Sequence, residues 1–184
     1  RAVEKKGYDI LLEALRLLPR NLHWRFVHVG GGELLKTLKA KAQELGLLDR
    51  VEWRGSKSQS DVVAAYREAD TFVLASRIAK SGDRDGLPNV LMEAQSQGLA
   101  CVSTRVSAVP EVIDDEVTGL LVPPNDPAML ATAILKLLQN PQSAATLGEA
   151  GRAAVQRSWA VAAAAISNEL TAATELIGST ECEP

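Results

Sequence analysis

The stretch SRIAKSGDRDGLPNVLMEA, residues 76–94, decides the fold, because it joins a polar loop with two glycines to the start of an apolar helix. Residues 71–75 before it form a short apolar run rich in β-forming residues, which predicts a buried strand. After it, apolar residues recur at helical spacing up to Gly98, and Pro88 suits a first helical turn, where its missing N–H would have gone unpaired. The stretch therefore predicts a strand, a loop and a helix N-terminus in succession.

Two carboxylates frame this turn: Asp85 lies at its mouth, and Glu93 lies one to two turns into the helix. Amides of Gly86 and the residues after it would point out of the helix start, where the partial positive charge favours a phosphate. A carboxylate offers only acceptors, so its natural partner is a hydroxyl-rich ligand. Together these features describe a nucleotide-sugar site. The alternative interpretation is a plain turn residue at Asp85 and a solvated helical residue at Glu93.

The composition of the chain narrows its class. Its 184 residues are 46% hydrophobic and only 4% aromatic, which favours helices layered on a sheet over an all-β sandwich. The net charge of −3 gives no basic field for nucleic acid. Cys101 and Cys182 are too few for a disulfide framework or a metal site, and we expect Cys101 in the core. The chain starts with Arg1 rather than Met, so we expect it to be a piece of a longer protein.

Strand and helix patterns alternate along the chain and predict a Rossmann-like, doubly wound, mostly parallel sheet with helices on both faces. The predicted strands are residues 23–29, 51–53, 71–75, 100–104 and 119–122. The predicted helices are residues 8–18, 33–45, 60–68, 87–98 and the short turn 109–113. A helical extension follows, with helices 126–139, 141–157 and 159–177 and a frayed tail of six residues. We divide the chain into a nucleotide-binding domain, residues 1–158, and a C-terminal helix and tail, residues 159–184.

Two further segments carry polar signals of lower specificity. Gly30-Gly31-Gly32 follows a strand and precedes a helix, as in a phosphate-binding turn, but the spacing matches neither the dinucleotide fingerprint nor the P-loop. This mismatch argues against an oxidoreductase. The basic residues of RAVEKKG, residues 1–7, are either a solvated face or an anion site. His23 and His28 have no metal-type neighbour in sequence, which favours core or surface roles over ligation.

Four stretches in order carry a family resemblance: RAVEKKG (1–7), VGGGELLKTL (29–38), DRDGLPNVLMEAQSQG (83–98) and VPEVIDDEVTGLLVPPNDPAMLATAI (109–134). With these stretches the chain resembles the C-terminal, donor-binding domain of a GT-B glycosyltransferase of the retaining family 4 type. The loop form is similar to that of members that build bacterial exopolysaccharides and colanic-acid-like polymers. The resemblance covers residues 1–159.

The resemblance implies roles for individual residues. Arg1 and Lys6 match the basic pair that grips the donor diphosphate, while Lys5 is expected at the surface. Asp85 and Glu93 match the paired acids, the first facing the donor sugar and the second the ribose. Donor contacts are also implied for the glycine turn and for the backbone amides of the helix start, namely Gly30, Gly31, Gly86, Leu87, Pro88 and Asn89.

The resemblance also implies a reaction: retaining transfer of a hexosyl group from a nucleotide-diphospho-sugar to a glycan or lipid-linked acceptor, in cell-surface polysaccharide synthesis. It implies no cofactor and no obligatory divalent metal. An N-terminal acceptor domain and a first strand would precede Arg1, so the chain alone would be inactive. The expected location is the cytoplasm, with the missing half contacting the inner face of the cytoplasmic membrane. Asp85 stands where the family usually has Glu, which leaves a non-catalytic nucleotide-binding or partner-binding module as the alternative.

Overall fold

The computed structural model describes the backbone of residues 1–178 and the side chains of residues 1–160. Its strands are β1 (Phe26–Val29), β2 (Val51–Gly55), β3 (Thr71–Leu74), β4 (Ala100–Thr104) and β5 (Gly119–Val122). Its helices are α1 (Tyr8–Leu17), α2 (Leu35–Glu44), α3 (Gln59–Arg67), α4 (Asn89–Ser96), α5 (Val109–Val112), α6 (Pro127–Gln139) and α7 (Pro141–Gly178). Short 3-10 turns cover Glu4–Lys6 and Leu48–Arg50.

The strands pair in parallel, as the alternating pattern predicts, and helices cover both faces. They form two sheets rather than one: β1 pairs with β2, while β3, β4 and β5 pair in that order. The predicted α/β architecture is confirmed. The division into two sheets was not predicted, because the sequence pattern identifies strands but not their partners.

β4 shows how one strand serves two cores. Ala100 and Val102 belong to the larger core, in which α1 packs on α6. Cys101 points to the opposite face and joins Leu91 of α4 in the smaller core. Cys101 is 0% exposed, which confirms its predicted core position, and burial strongly raises the pKa of its thiol.

Several helix starts differ from the predicted ones by one or two residues. α3 begins at Gln59 because the hydroxyl of Ser58, not Ser60, accepts the N–H of Asp61 at 3.2 Å. α4 begins at Asn89, with Pro88 as the residue before the helix rather than within it. At α6 the predicted cap is confirmed, since the Asp126 carboxylate accepts the N–H of Met129 at 2.9 Å.

The C-terminal helices predicted at 141–157 and 159–177 are a single helix, α7, so the predicted break at residue 158 is wrong. No glycine or proline interrupts residues 152–177, and the Ser158 hydroxyl is satisfied inside the helix by the carbonyl of Ala154 at 3.2 Å. The predicted six-residue tail lies outside the described residues. Within the described part of the chain, no helix is long and apolar enough to cross a membrane.

A cavity of about 540 Å³ lies between the two sheets. Every residue of β1 and every residue of β3 lines it, and within residues 1–178 each of these strands pairs with a neighbour on one side only. Arg1, Lys6 and Glu93 lie on the same cavity. The separation of the two sheets therefore also shapes the candidate site.

Candidate functional site

The segment from Arg1 to Gly7 crosses the carboxyl ends of the strands. At one end the N–H of Ala2 donates to the carbonyl of Gly31, just after β1, at 2.7 Å. At the other end the N–H of Arg77, just after β3, donates to the carbonyl of Lys5 at 2.9 Å. This edge is where parallel α/β sheets bind ligands, so the fold itself places the basic segment there.

Lys6 and Asp85, predicted separately as site residues, contact each other directly. The Lys6 Nζ lies 2.8 Å from Asp85 Oδ2, and their side chains are only 15% and 12% exposed. The Ser76 hydroxyl donates to the same carboxylate oxygen at 3.2 Å. The site thus holds a partly buried ion pair whose two members could each exchange their partner for a ligand group.

Lys5 corrects one expectation, because it does not stand free at the surface. Its ammonium lies 3.1 Å from Asp83 and 3.8 Å from Asp85, and its side chain is 26% exposed. The cause is the loop: the N–H of Lys80 donates to the Glu4 carboxylate at 3.1 Å, which holds the loop against the basic segment. This long-range contact leaves no local signal in the sequence.

Arg1 and Glu93 line the same cavity as Lys6. Burial lowers the pKa of the Arg1 α-amino group, and the charge of Lys6 lowers this pKa further. Glu93 lies on α4 and accepts a hydrogen bond from the Tyr66 hydroxyl at 3.2 Å. Burial is the main cause of the raised pKa of Tyr66, and the Glu93 carboxylate adds to it. Two cationic groups and one carboxylate therefore face a common space.

The glycine turn lies behind this segment. Gly30 and Gly32 have φ angles of +133° and +144°, and a Cβ at Gly32 would lie 2.4 Å from the Ala2 carbonyl oxygen. Gly31 holds Ala2 through its carbonyl. The structure thus places Gly30 and Gly31 against the Arg1–Ala2 backbone, where small residues allow the close approach.

The helix start is more exposed than its neighbours. Gly86, Leu87 and Asn89 are exposed, whereas Pro88 is buried. Pro88 has no N–H, so the predicted run of donor amides from Gly86 to Asn89 is interrupted there. No side chain caps the first turn of α4, which leaves its first amides without a side-chain acceptor.

Sequence reasoning missed three polar residues of this region. Ser76 and Tyr66 hold the two predicted acids, and Arg77 contacts the basic segment. Ser76 lies two residues after the end of β3, and a polar residue at the carboxyl end of a strand is a signal that could have identified it. Tyr66 and Arg77 act across long sequence separations and carry no comparable signal. Among the described residues, no three His, Cys, Asp or Glu side chains group closely enough to hold a metal ion.

The fold and the site define an α/β domain of parallel strands with a charged cleft at their carboxyl ends. The chain belongs to the family described as Glycosyl transferases group 1, whose model matches residues 1–154. The match spans both sheets and the complete cleft.

Two curated relatives show what the chain is similar to. It is 36% identical over 157 residues to the amylovoran biosynthesis glycosyltransferase AmsK of Erwinia amylovora, covering 85% of this chain and 39% of the relative. It is 34% identical over 161 residues to a GDP-mannose-dependent alpha-(1-6)-phosphatidylinositol monomannoside mannosyltransferase of Mycolicibacterium smegmatis, covering 86% of this chain and 42% of the relative. The chain therefore spans about two fifths of the length of these proteins.

A solved structure supports the same fold. Anabaena Alr3699/HepE in complex with UDP-glucose superposes with a TM-score of 0.75 at 25% identity, covering 85% of this chain and 42% of that chain. Such neighbours are glycosyltransferases of the GT-B type, which confirms the predicted fold class.

Proposed function

We propose that this chain is the C-terminal, donor-binding domain of a retaining glycosyltransferase of the family 4 type. It binds a nucleotide-diphospho-sugar at the cleft formed by Arg1, Lys6, Asp85 and Glu93. The complete protein transfers the hexosyl group to a glycan or lipid-linked acceptor in bacterial cell-surface polysaccharide synthesis, in the cytoplasm at the inner face of the membrane. Neither a cofactor nor a metal takes part.

The observation that carries this proposal is the Lys6–Asp85 ion pair, which lies beside Arg1 on the cleft. A diphosphate brings two or more negative charges and replaces Asp85 as the partner of Lys6, with Arg1 as the second cation. The same cations then stabilise the charge that grows on the leaving nucleoside diphosphate. Released from Lys6, Asp85 can accept hydrogen bonds from sugar hydroxyls, and Glu93 can accept them from the ribose.

Calorimetric titration of UDP, GDP and ADP, their sugars and the free nucleosides into the folded chain tests this proposal. We expect one nucleoside diphosphate to bind and its nucleoside to bind far more weakly. Lys6→Ala removes a charge-assisted contact worth about 1.5–3 kcal/mol, so we expect affinity for the diphosphate to fall by about 10- to 100-fold.

Lys136→Ala is the matched control for this titration. Lys136 lies on α6 and forms an exposed ion pair with Glu116 at 2.8 Å. Removal of the Lys136 side chain should leave nucleotide affinity unchanged. A folded chain that binds none of the nucleotides or their sugars would contradict the proposal. Equal weakening by the two lysine variants would show that Lys6 acts only through net charge.

The cleft between the sheets supports the proposal that the chain works as part of a longer polypeptide. β1 and β3 each leave one edge unpaired, and both edges face the same cavity. One parallel strand preceding Arg1 could pair with both free edges and merge the two sheets. The acceptor domain would precede that strand, as the partial coverage of the relatives suggests.

A non-catalytic module on the same fold remains the second candidate, because the Asp85 carboxylate is one methylene shorter than the usual Glu and is held by Lys6 and Ser76. Asp85→Glu in the full-length protein separates the two functions. If Asp85 is a working donor contact, sugar transfer is measurable with Asp85 and is unaltered or increased by Glu. Transfer that appears only in the Glu variant would identify a domain that had lost its turnover.

A further inference from the structure

Arg77 is a charged residue beside the site that has no part in the proposed function. It lies in the loop after β3, and its side chain is only 17% exposed although it carries a permanent charge. The guanidinium Nε donates to the carbonyl of Glu4 at 3.1 Å, and Nη1 lies 3.0 Å from the Asp9 carboxylate. Its main-chain N–H donates to the carbonyl of Lys5 at 2.9 Å. One residue therefore contacts positions on both sides of Lys6.

The turn that carries Lys6 depends on such outside support. Glu4–Lys6 is one 3-10 turn, closed by the bonds from the N–H of Lys6 to Val3 and from the N–H of Gly7 to Glu4, each at 3.1 Å. A single turn of this kind has little stability of its own, because few bonds compensate for the lost backbone entropy. The Glu4 carbonyl that closes the turn is also the carbonyl that Arg77 binds.

The position of the Lys6 ammonium follows from this backbone. The Lys6 ammonium sits at the end of a flexible stem and contacts Asp85, so the backbone of the turn sets which region the ammonium can reach. The Arg77 fork, in contrast, is planar and donates in fixed directions to two acceptors. We propose that Arg77 is a positioning residue for diphosphate binding, which holds the Glu4–Lys6 turn so that Lys6 meets the ligand without Arg77 touching it. The inference rests on the proposed function for the identity of the ligand.

The test uses whichever of UDP, GDP and ADP binds the wild-type chain. It measures the affinity of the Arg77→Ala and Arg77→Lys variants for that nucleotide by calorimetry. Loss of hydrogen bonds to charged groups predicts about ten-fold weaker binding for Arg77→Ala. Arg77→Lys keeps the charge but cannot bind both acceptors, so we expect it to be weakened as well. If Arg77→Lys binds like the wild type, Arg77 acts by long-range attraction and the proposal fails. Arg152→Ala, which breaks an exposed pair with Glu149, is the control.

A double-mutant cycle separates positioning from a general structural role. If Arg77 acts through Lys6, then Arg77→Ala has no further effect on diphosphate affinity in the Lys6→Ala background. An equal, additive loss in that background would overturn the proposal. Asp9→Asn is a milder variant that loosens the guanidinium and should weaken binding in the same direction if Arg77→Ala fails to fold.

Hydrogen exchange gives a readout that needs no ligand. In Arg77→Ala the amides of Lys6 and Gly7 should exchange about ten-fold faster, while amides of the core strand β4 keep their wild-type rates. Unchanged exchange at Lys6 and Gly7 would overturn the positioning role whether or not a nucleotide binds. A wild-type chain that binds no nucleotide but shows the exchange effect would instead contradict the proposed function alone.

Discussion

Lys6 has one partner in the structure and another in the proposed complex, and this exchange couples the two halves of the site. The Lys6 and Asp85 side chains are 15% and 12% exposed, so an unpaired charge on either would be costly. A diphosphate that takes Lys6 leaves Asp85 with the Ser76 hydroxyl and the more distant Lys5 ammonium, so sugar hydroxyls can replace the donor that it loses. Binding of the diphosphate and of the sugar should thus reinforce each other.

His28 should make the stability of the fold depend on pH. It is 2% exposed, packs against Tyr8 and Trp53, and both ring nitrogens lack a hydrogen-bond partner. Burial lowers its pKa from 6.5 to about 4. The unfolded chain therefore binds more protons, and folding stability is lost as the pH falls from 6.5 towards 4. The full loss is about 3 kcal/mol.

Urea unfolding between pH 7 and pH 4 measures this effect, and the two histidines provide a matched pair of variants. His28→Phe should remove most of the pH dependence between 6.5 and 4. His23→Phe should leave it in place, because His23 is exposed. A pH dependence that survives in His28→Phe would assign the titration to other groups.

At the scale of elements, the packing of α7 depends on Gly148, and the sequence alone does not predict this contact. A Cβ at Gly148 would lie 2.0 Å from the Gly98 carbonyl oxygen, at the end of α4 and the entrance to β4. In an exposed helix, Gly to Ala gains about 1 kcal/mol. Here we expect Gly148→Ala to lose about 2–3 kcal/mol through overpacking, measured as a lower urea midpoint by circular dichroism.

Glu149→Ala, at the next position on α7, is exposed and should change stability by less than about 0.5 kcal/mol. If Gly148→Ala were as stable as this control, the contact between α7 and the turn at Gly98 would be looser than the structure has it.

The sequence predicts elements whose signals are local. The Asp126 cap, the apolar period of α1 and the buried run of β4 each depend on neighbouring residues, and all three are confirmed. The choice of Ser58 over Ser60 as a cap is a competition between similar hydroxyls, which local pattern does not resolve.

The candidate site follows the same rule. Asp85 is predicted as a site residue from the turn before α4, and Lys6 from the resemblance. Their contact joins residues 79 positions apart, and only the fold brings them together. The Lys5–Asp83 pair and the hydrogen bond from Arg77 to the Glu4 carbonyl are long-range contacts of the same kind. What the sequence misses is therefore the loop that folds back over the basic segment, not the strands and helices around it.

At the scale of the whole molecule, the proposed strand before Arg1 would join the two sheets into one. Arg1 lies beside Gly30 at the carboxyl end of β1, and Gly7 lies against Ala75 at the carboxyl end of β3. A strand that ran parallel to β1 and β3 through the cavity would therefore end at Arg1 and continue into α1. The crossover from this strand through α1 to β1 is the usual βαβ unit.

A short strand joined to Arg1 tests this arrangement. The extension has five residues that alternate Val and Ile. Burial of each side chain should contribute about 1.5–3 kcal/mol, whereas ordering each residue costs about 1.5 kcal/mol. We therefore expect the free energy of unfolding to increase by a few kcal/mol. The amides of β1 and β3 that face the cavity should then exchange more slowly, because they gain partners from the new strand. A five-residue extension of Gly and Ser has the same length but no apolar surface, and it should give neither effect. If the apolar extension leaves a monomer with unchanged exchange in β1 and β3, the strand does not enter the cavity, and the two sheets are independent. Protection of β1 and β3 together is the decisive result, since only a strand between them can pair with both edges.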